Sequence, residues 1–132
     1  MNLETDVTPL PDLMLQAFDK ALDLMLIMEA NFDDVGDSKI IYANQAVSKT
    51  LGYSNAEIVG NSPRMFQGNQ TDKMTRMEIR VSLKQKKPLH SKILNFTKDG
   101  EPIWLEINII PLENDQGEVT HFFATERVCS QD

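Results

Sequence analysis

The chain has 132 residues, 41% hydrophobic and 25% charged, a balance that predicts one compact domain and leaves no room for a second. Its 20 acidic and 13 basic side chains give a formal net charge of -7, which argues against nucleic acid and membrane surfaces as partners. No apolar stretch is long enough to cross a bilayer, and the start MNLETDV does not resemble a signal peptide. The single cysteine, Cys129, indicates a reducing compartment, so a cytoplasmic location is expected.

The first third of the chain predicts one helix and two strands. Residues 1–10 show no pattern and are expected to be loose. An amphipathic helix is then predicted from Pro11, because apolar residues recur at helical spacing. The apolar positions of this helix are Leu13, Met14, Ala17, Phe18 and Ala21. Residues 24–29 and 39–43 have the length and composition of strands, and the turn-rich FDDVGDS between them predicts an antiparallel pair.

The middle third predicts short helices. Residues 44–51 have helical apolar spacing, and Ser54 and Glu57 have the spacing of a capping box, in which each side chain caps the other's backbone amide. A longer helix, capped by Thr71 or Asp72, ends before Pro88. Its apolar positions are Met74, Met77, Ile79, Val81 and Leu83.

The last third predicts a three-stranded meander over residues 89–97, 103–110 and 119–128, with turns at Lys98-Asp-Gly100 and Asn114-Asp-Gln-Gly117. Together with the first two strands it gives a five-stranded antiparallel sheet, with the short helices covering one face. The expected fold class is α+β. We expect an N-terminal tail and cap helix in residues 1–22, the domain itself in 23–128 and a C-terminal tail in 129–132.

Alternation within the strands predicts which side chains face the helices. In the central strand of the meander the inward set is Ile103, Leu105, Ile107 and Ile109. In the last strand we choose Phe122, Ala124, Glu126 and Val128, because the opposite set contains His121 and Arg127, which cost more to bury. In the first strand of the meander, residues 89–97, alternation does not settle which face is buried.

An inward-facing Asn95 and Glu126 would each need a hydrogen-bond partner, because a buried polar group without one costs about 1 to 3 kcal/mol. A polar ligand could supply that partner. The alternative is that the two side chains bond to backbone, to water or to each other, or lie at strand ends.

Four segments together resemble a PAS domain over about residues 24–128: IIYANQAVSKTLGYSNAEIVG, PRMFQGNQTD, LNFTKDGEPIWLEI and GEVTHFF. One pattern within this region is similar to that of the light-oxygen-voltage (LOV) branch of the PAS domains. It consists of Arg64, Gln67, Gly68, Thr71 and Asp72, followed by the NFxKxG run that starts at Asn95. Members of that branch hold a flavin between the sheet and the helices. The resemblance therefore implies the PAS fold and a flavin site.

The resemblance also implies roles for individual residues. Arg64 and Arg80 match arginines that hold the flavin phosphate, Gln67 matches a glutamine near the ring and ribityl chain, and Asn95 matches an asparagine at the pyrimidine edge of the ring. These roles suit the chemistry, because arginine offers a fork of donors to phosphate, and both amide side chains offer a donor and an acceptor. The alternative is that Arg64 and Arg80 are surface charges.

Several positions depart from the LOV pattern. The photoactive cysteine of that branch precedes the first arginine, where this chain has Pro63, so no thiol adduct with a flavin is expected. Cys129 lies in the tail and is not a replacement. Leu105 replaces a second ring-binding asparagine, and Glu126 replaces the glutamine at the reactive edge of the flavin. Ser38 stands near another position that is often asparagine.

The expected function is that of a non-catalytic sensory module. It would bind FMN or FAD without a covalent link and relay redox or light state to a partner, or to an output domain outside this chain. The alternative is a PAS module without flavin, empty or holding another small ligand, that acts mainly in dimerisation. Catalysis and metal binding are not expected, because the chain has no Gly-rich phosphate loop or nucleophile motif, and its two histidines lack metal spacing.

Two further expectations concern surfaces. A homodimer is expected through the N-terminal helix near the outer face of the sheet, where apolar side chains would form an exposed patch. The patch would consist of Phe96, Trp104, Ile110 and Phe123. Alternatively, the helix only covers its own sheet. A set of methionines could line an adaptable pocket, or simply fill the core; it includes Met25, Met28, Met65, Met74 and Met77.

Overall fold

The computed structural model describes residues 7–132. Residues 1–6 lie outside the described residues, and so does that part of the expected loose N-terminus. Helix α1 spans Leu10–Lys20 and starts within the segment that we expected to be loose. Pro9 is its N-cap and Pro11 lies in its first turn, where the missing amide hydrogen of proline costs no helical bond.

The other elements follow closely the order predicted from the sequence. The strands are β1 (Leu24–Glu29), β2 (Lys39–Ala43), β3 (Leu89–Phe96), β4 (Pro102–Glu113) and β5 (Val119–Val128). The helices between β2 and β3 are α2 (Gln45–Leu51), α3 (Asn55–Ile58) and α4 (Lys73–Lys84), with short 3-10 turns at Val35–Asp37 and Pro63–Phe66. The capping box of α3 and the Asp72 cap of α4 are both present.

The five strands form one antiparallel sheet in the order β2-β1-β5-β4-β3. The expected α+β architecture is confirmed. The first and last strands of the chain lie side by side in the centre of the sheet, with Leu24 opposite Glu126. Residue 126 therefore sits in the middle of the domain although it is close to the end of the chain.

One face of the sheet packs against the helices and forms the core. The predicted inward set of β4 is confirmed for Leu105, Ile107 and Ile109, which are buried, and Ile93 and Asn95 of β3 share this face. In β5 the inward set is likewise confirmed for Phe122, Ala124 and Glu126. It is wrong for Val128, which is 58% exposed because the strand has passed the edge of the core.

Helix α4 differs from the expectation in which side chains it buries. Leu83 is buried and Ile79 packs against the core, but Met74, Met77 and Val81 are exposed. Met74 and Met77 therefore neither line the cavity nor fill the core, and Arg76 and Ile79 of this helix line the cavity instead. Met28 of β1 does line the interior.

Helix α1 is attached to the domain near its C-terminal end. The Phe18 ring lies 6.2 Å from the Phe123 ring of β5, and no α1 residue is buried. The buried side chain of Asn44 donates to the carbonyl oxygens of Phe18 and Asp23, both at 2.8 Å, and accepts from the Met25 amide at 2.9 Å. One amide side chain thus connects the end of α1, the start of β1 and the start of α2.

Candidate functional site

A cavity of about 320 Å³ lies between the inner face of the sheet and the segment from the second 3-10 turn to α4. This volume lies at the lower end of the range for small-molecule sites in proteins. Its sheet side is mostly apolar, formed by Leu26, Met28, Ile93, Ile107, Ile109 and Phe122. A cavity with these walls suits a flat apolar ring.

The loop over this cavity is held in place by Thr71. Its hydroxyl donates to the Leu94 carbonyl oxygen of β3 at 2.7 Å and accepts from the Gly68 amide at 3.1 Å. Gly68 is needed for this contact, because a Cβ there would lie 2.7 Å from the Phe96 ring. The Gln67-Gly68 segment is therefore fixed against the end of β3, and Gln67 lines the cavity.

Two buried polar side chains line the cavity without full hydrogen bonding. Within residues 7–132, Asn95 Oδ1 and Glu126 Oε1 have no hydrogen-bond partner. Through these oxygens the two side chains bond neither to each other nor to the backbone, which leaves water or a bound ligand as the partner. A buried polar atom without a partner is costly, and a bound ligand would remove that cost.

Glu126 has an unusual ionisation state. Burial raises its pKa to about 7, because the charged form loses its hydration. No arginine pairs with it among residues 7–132, since Arg64 instead binds Asp34 and Arg127 binds Asp23. The carboxyl group is therefore largely neutral below neutral pH, where it can donate a hydrogen bond.

The three arginines of the cavity wall differ in their partners. Arg64 is held by Asp34, with Nη2 at 2.8 Å from Oδ1 and Nη1 at 3.2 Å from Oδ2. Arg76 is partly buried and Nη2 donates to the Gly68 carbonyl oxygen. Arg80 lies one helical turn further along α4 and is exposed.

The structure brings together most of the predicted site residues. Arg64, Gln67, Arg80, Asn95 and Glu126 all line the cavity, as do Pro63 and Ser38. Leu105 is fully buried in the core but is not among the residues that line the cavity.

Arg76 and Gly36 are among the lining residues that sequence reasoning did not single out. Arg76 could have been found from its spacing of four from Arg80, which places both on one helical face. Gly36 could not, because its role is to let Arg64 pack closely: a Cβ there would lie 2.8 Å from Arg64 Nε.

Comparison with known proteins identifies relatives of this domain. The family model described as PAS domain matches residues 25–127. The Arabidopsis thaliana protein TWIN LOV 1 is 33% identical over 66% of this chain and 22% of its own length. A blue-light-activated histidine kinase of Brucella anthropi is 36% identical over 68% of this chain and 18% of its own length. The matched region is thus about a fifth of each of these relatives.

Solved structures share the fold. An RNA-binding light-oxygen-voltage receptor superposes with a TM-score of 0.81 and 28% identity, over 92% of this chain and 34% of that one. A light-oxygen-voltage domain studied with a flavin analogue has a TM-score of 0.80 and 25% identity, over 89% of this chain and 85% of that one.

Among the described residues, no helix combines the length and hydropathy of a membrane span.

Proposed function

We propose that this chain, which belongs to the PAS domain family, is a sensory module that binds a flavin non-covalently and relays its redox or light state. The observation that carries the proposal is the pair of buried oxygens, Asn95 Oδ1 and Glu126 Oε1, that lack partners in an otherwise mostly apolar cavity. A flavin ring has this combination of a broad apolar surface and a polar edge. The LOV relatives support the same reading.

The residues of the cavity fit such a ring. Asn95 provides both a donor and an acceptor, which is what the pyrimidine edge of a flavin requires. Gln67 is held beside the cavity by the fixed Gly68 loop, and Ile93, Ile107 and Phe122 offer apolar contact. The tail of the flavin would extend towards the arginines on the helical side of the cavity.

A bound flavin would supply absorption of blue light and reversible uptake of electrons and protons. The chain's own contribution is to bind and orient it, and to offer the Glu126 carboxyl group as a donor or acceptor at a buried position. The resemblance to the LOV branch implies that Pro63 takes the position of the photoactive cysteine, and proline cannot form a sulfur bond to the ring. We therefore propose sensing without a thiol adduct.

The finer points of the proposal are the identity of the flavin and of the partners. FMN and FAD are both candidates, and the domain is proposed to act as a cytoplasmic homodimer without an enzymatic activity of its own. The exposed apolar residues Leu10, Leu13 and Leu15 of α1 support the dimer. An output domain or signalling partner outside this chain would receive the signal.

The experiment that tests this function is titration of the purified protein with FMN and with FAD, followed by absorption near 450 nm, roughly where oxidised flavins absorb. We expect Asn95→Ala to weaken binding by about 1 to 3 kcal/mol, because it removes a buried polar contact. The matched control is Asn108→Ala, an exposed asparagine on the outer face of β4. A colourless protein that takes up neither flavin would overturn the proposal.

A further inference from the structure

Helix α4 presents an apolar stripe to solvent. Met74, Met77 and Val81 are spaced by three and four residues, so they lie in one row along the helix. They are 70%, 51% and 47% exposed, whereas Leu83 on the opposite side of the helix is buried in the core. We call these three residues the α4 stripe. Single apolar residues are normal on a protein surface, but a contiguous exposed row usually marks an interface.

A row of basic side chains runs beside the α4 stripe. Lys73, Arg80 and Lys84 are exposed, and each lies three or four residues from a member of the stripe. Within residues 7–132 none of the three forms an ion pair, whereas several basic residues elsewhere do: Lys39, Arg64, Lys98 and Arg127. Glu78, the one acid of α4, lies on the other side of the stripe. The domain therefore does not neutralise this basic row by ion pairing.

The positive charge is concentrated in one segment of an acidic chain. Residues 73–87 contain six basic side chains and one acidic side chain, so this segment carries +5 of a chain whose net charge is -7. The remainder of the chain therefore carries -12. An acidic partner is attracted to this segment and repelled by most of the remaining surface, which determines where on the domain it binds.

From the apolar stripe and the basic row we infer that α4 is a docking surface for an acidic amphipathic helix of a signalling partner. The 12 residues of α4 extend over about 18 Å, which matches about three turns of a partner helix. Apolar side chains spaced by three and four residues on the partner would cover the stripe, and its carboxylates would face the basic row. Methionine suits such a surface, because its flexible side chain adapts to the shape of the partner.

Three other occupants fit this surface less well. An anionic membrane would be repelled by the remainder of the chain, and the α4 stripe has no aromatic side chain to enter the lipid. A nucleic acid backbone would bind the basic row but leave the apolar stripe uncovered. A second copy of this chain offers the apolar residues of α1, but of the two acids in that helix Asp19 already accepts from Gln45, which leaves Asp12.

The test uses a synthetic helical peptide as the probe, with leucine at positions i, i+3, i+4 and i+7 and glutamate on both sides of this leucine face. Titration calorimetry measures its affinity for the parent, and NMR amide shifts locate the contact. We expect binding with shifts centred on residues 73–84, and an affinity that falls as salt is added. The same peptide with lysine in place of every glutamate should bind at least about tenfold more weakly.

Two variants test the two rows separately. Met77→Glu places a charge in the α4 stripe and should weaken binding of the glutamate peptide by about tenfold or more. Lys84→Glu reverses one charge of the basic row and should weaken it by about threefold or more. The matched control is Lys49→Glu, which makes the same reversal at an exposed lysine of α2 and should bind as the parent does. Urea unfolding of each variant shows that it is folded.

The inference is overturned if the parent does not bind the glutamate peptide, if the lysine peptide binds equally well, or if Met77→Glu and Lys84→Glu bind like the parent. Vesicles of equal parts phosphatidylcholine and phosphatidylserine should not bind; binding that Lys84→Glu abolishes would assign the surface to a membrane instead. Without peptide, a shift towards the monomer in Met77→Glu would show that a second copy covers the stripe. None of these measurements needs a flavin, so this inference and the flavin proposal can fail independently.

Discussion

Glu126 and Arg127 are neighbours on β5 that face opposite sides of the sheet. Glu126 is buried at the cavity, whereas Arg127 donates through Nε and Nη2 to the carboxylate of Asp23, at 3.1 and 3.3 Å. Asp23 precedes β1 and follows α1. A shift of β5 caused by a change at Glu126 would therefore act directly on the segment that carries α1.

The first prediction concerns the pH dependence of stability. An ordinary glutamate has a pKa of 4.5, whereas burial raises that of Glu126 to about 7. Between these values the folded state keeps a proton that the unfolded chain has lost, so the free energy of unfolding falls as pH rises through this window. Glu126→Gln lacks this titrating group, so its free energy of unfolding should rise relative to that of the parent as the pH increases. Between pH 4 and pH 8 we expect this relative gain to be on the order of 3 kcal/mol.

Urea unfolding of both proteins between these pH values measures this difference. The matched control is Glu29→Gln, which makes the same substitution at the exposed end of β1. If the difference between the parent and Glu126→Gln is constant with pH, the carboxyl group of Glu126 is not held neutral by burial.

The second prediction concerns the Thr71 hydroxyl, which joins the Gly68 loop to β3. Thr71→Val keeps the shape but leaves the Gly68 amide and the Leu94 carbonyl oxygen without this partner. We expect a loss of stability of about 2 kcal/mol and weaker flavin binding, because Gln67 is no longer fixed. Thr71→Ser keeps the hydroxyl and should retain most of the flavin affinity; equal losses in both variants would assign the effect to packing alone.

The third prediction concerns the attachment of α1. Asn44→Ala removes three hydrogen bonds to buried or partly buried backbone groups. We expect it to lower the free energy of unfolding by about 2 to 3 kcal/mol and to increase hydrogen exchange around Phe18. Asn55→Ala, at an exposed position in α3, is the control. Unaltered exchange around Phe18 would show that α1 is held by its ring contact with Phe123 instead.

The fourth prediction concerns the dimer. Leu15 on α1 is 57% exposed, and a charge at this position should disrupt an apolar contact between two copies. We expect Leu15→Glu to shift the protein towards the monomer in light scattering at a given concentration. Leu22→Glu, at a residue that is 95% exposed and lies outside the helix, adds the same charge as a control. A dimer that persists in Leu15→Glu would place the interface elsewhere.

Much of the fold could be predicted because it depends on local chemistry. The capping box of Ser54 and Glu57 and the alternation in β4 are written in residues that are close in the chain. The partners of the arginines are different, because Asp34 and Arg64 are 30 residues apart and meet only once the loop between β1 and β2 has folded. Gly68 and Arg76 are only 8 residues apart, but their contact depends on how Thr71 fixes the loop to Leu94 of β3, which is 23 residues from Thr71 in the chain. The resemblance to the LOV branch predicted several lining positions, but it also pointed to Leu105, which does not line the cavity, and it did not predict which charges were already paired.

The central pairing of β1 with β5 has a consequence for biosynthesis. Asp23 and Arg127, which lie beside β1 and in β5, are 104 residues apart in the chain. During translation β1 therefore leaves the ribosome long before β5 has been synthesised. Until then β1 has one open edge and the cavity lacks the wall that Phe122 and Glu126 provide. Closing such a distant contact is slow, and the exposed edge is prone to wrong pairing in the meantime. The cavity of a nascent chain would therefore be complete only after the last strand has emerged, and chaperone protection would matter most just before that moment.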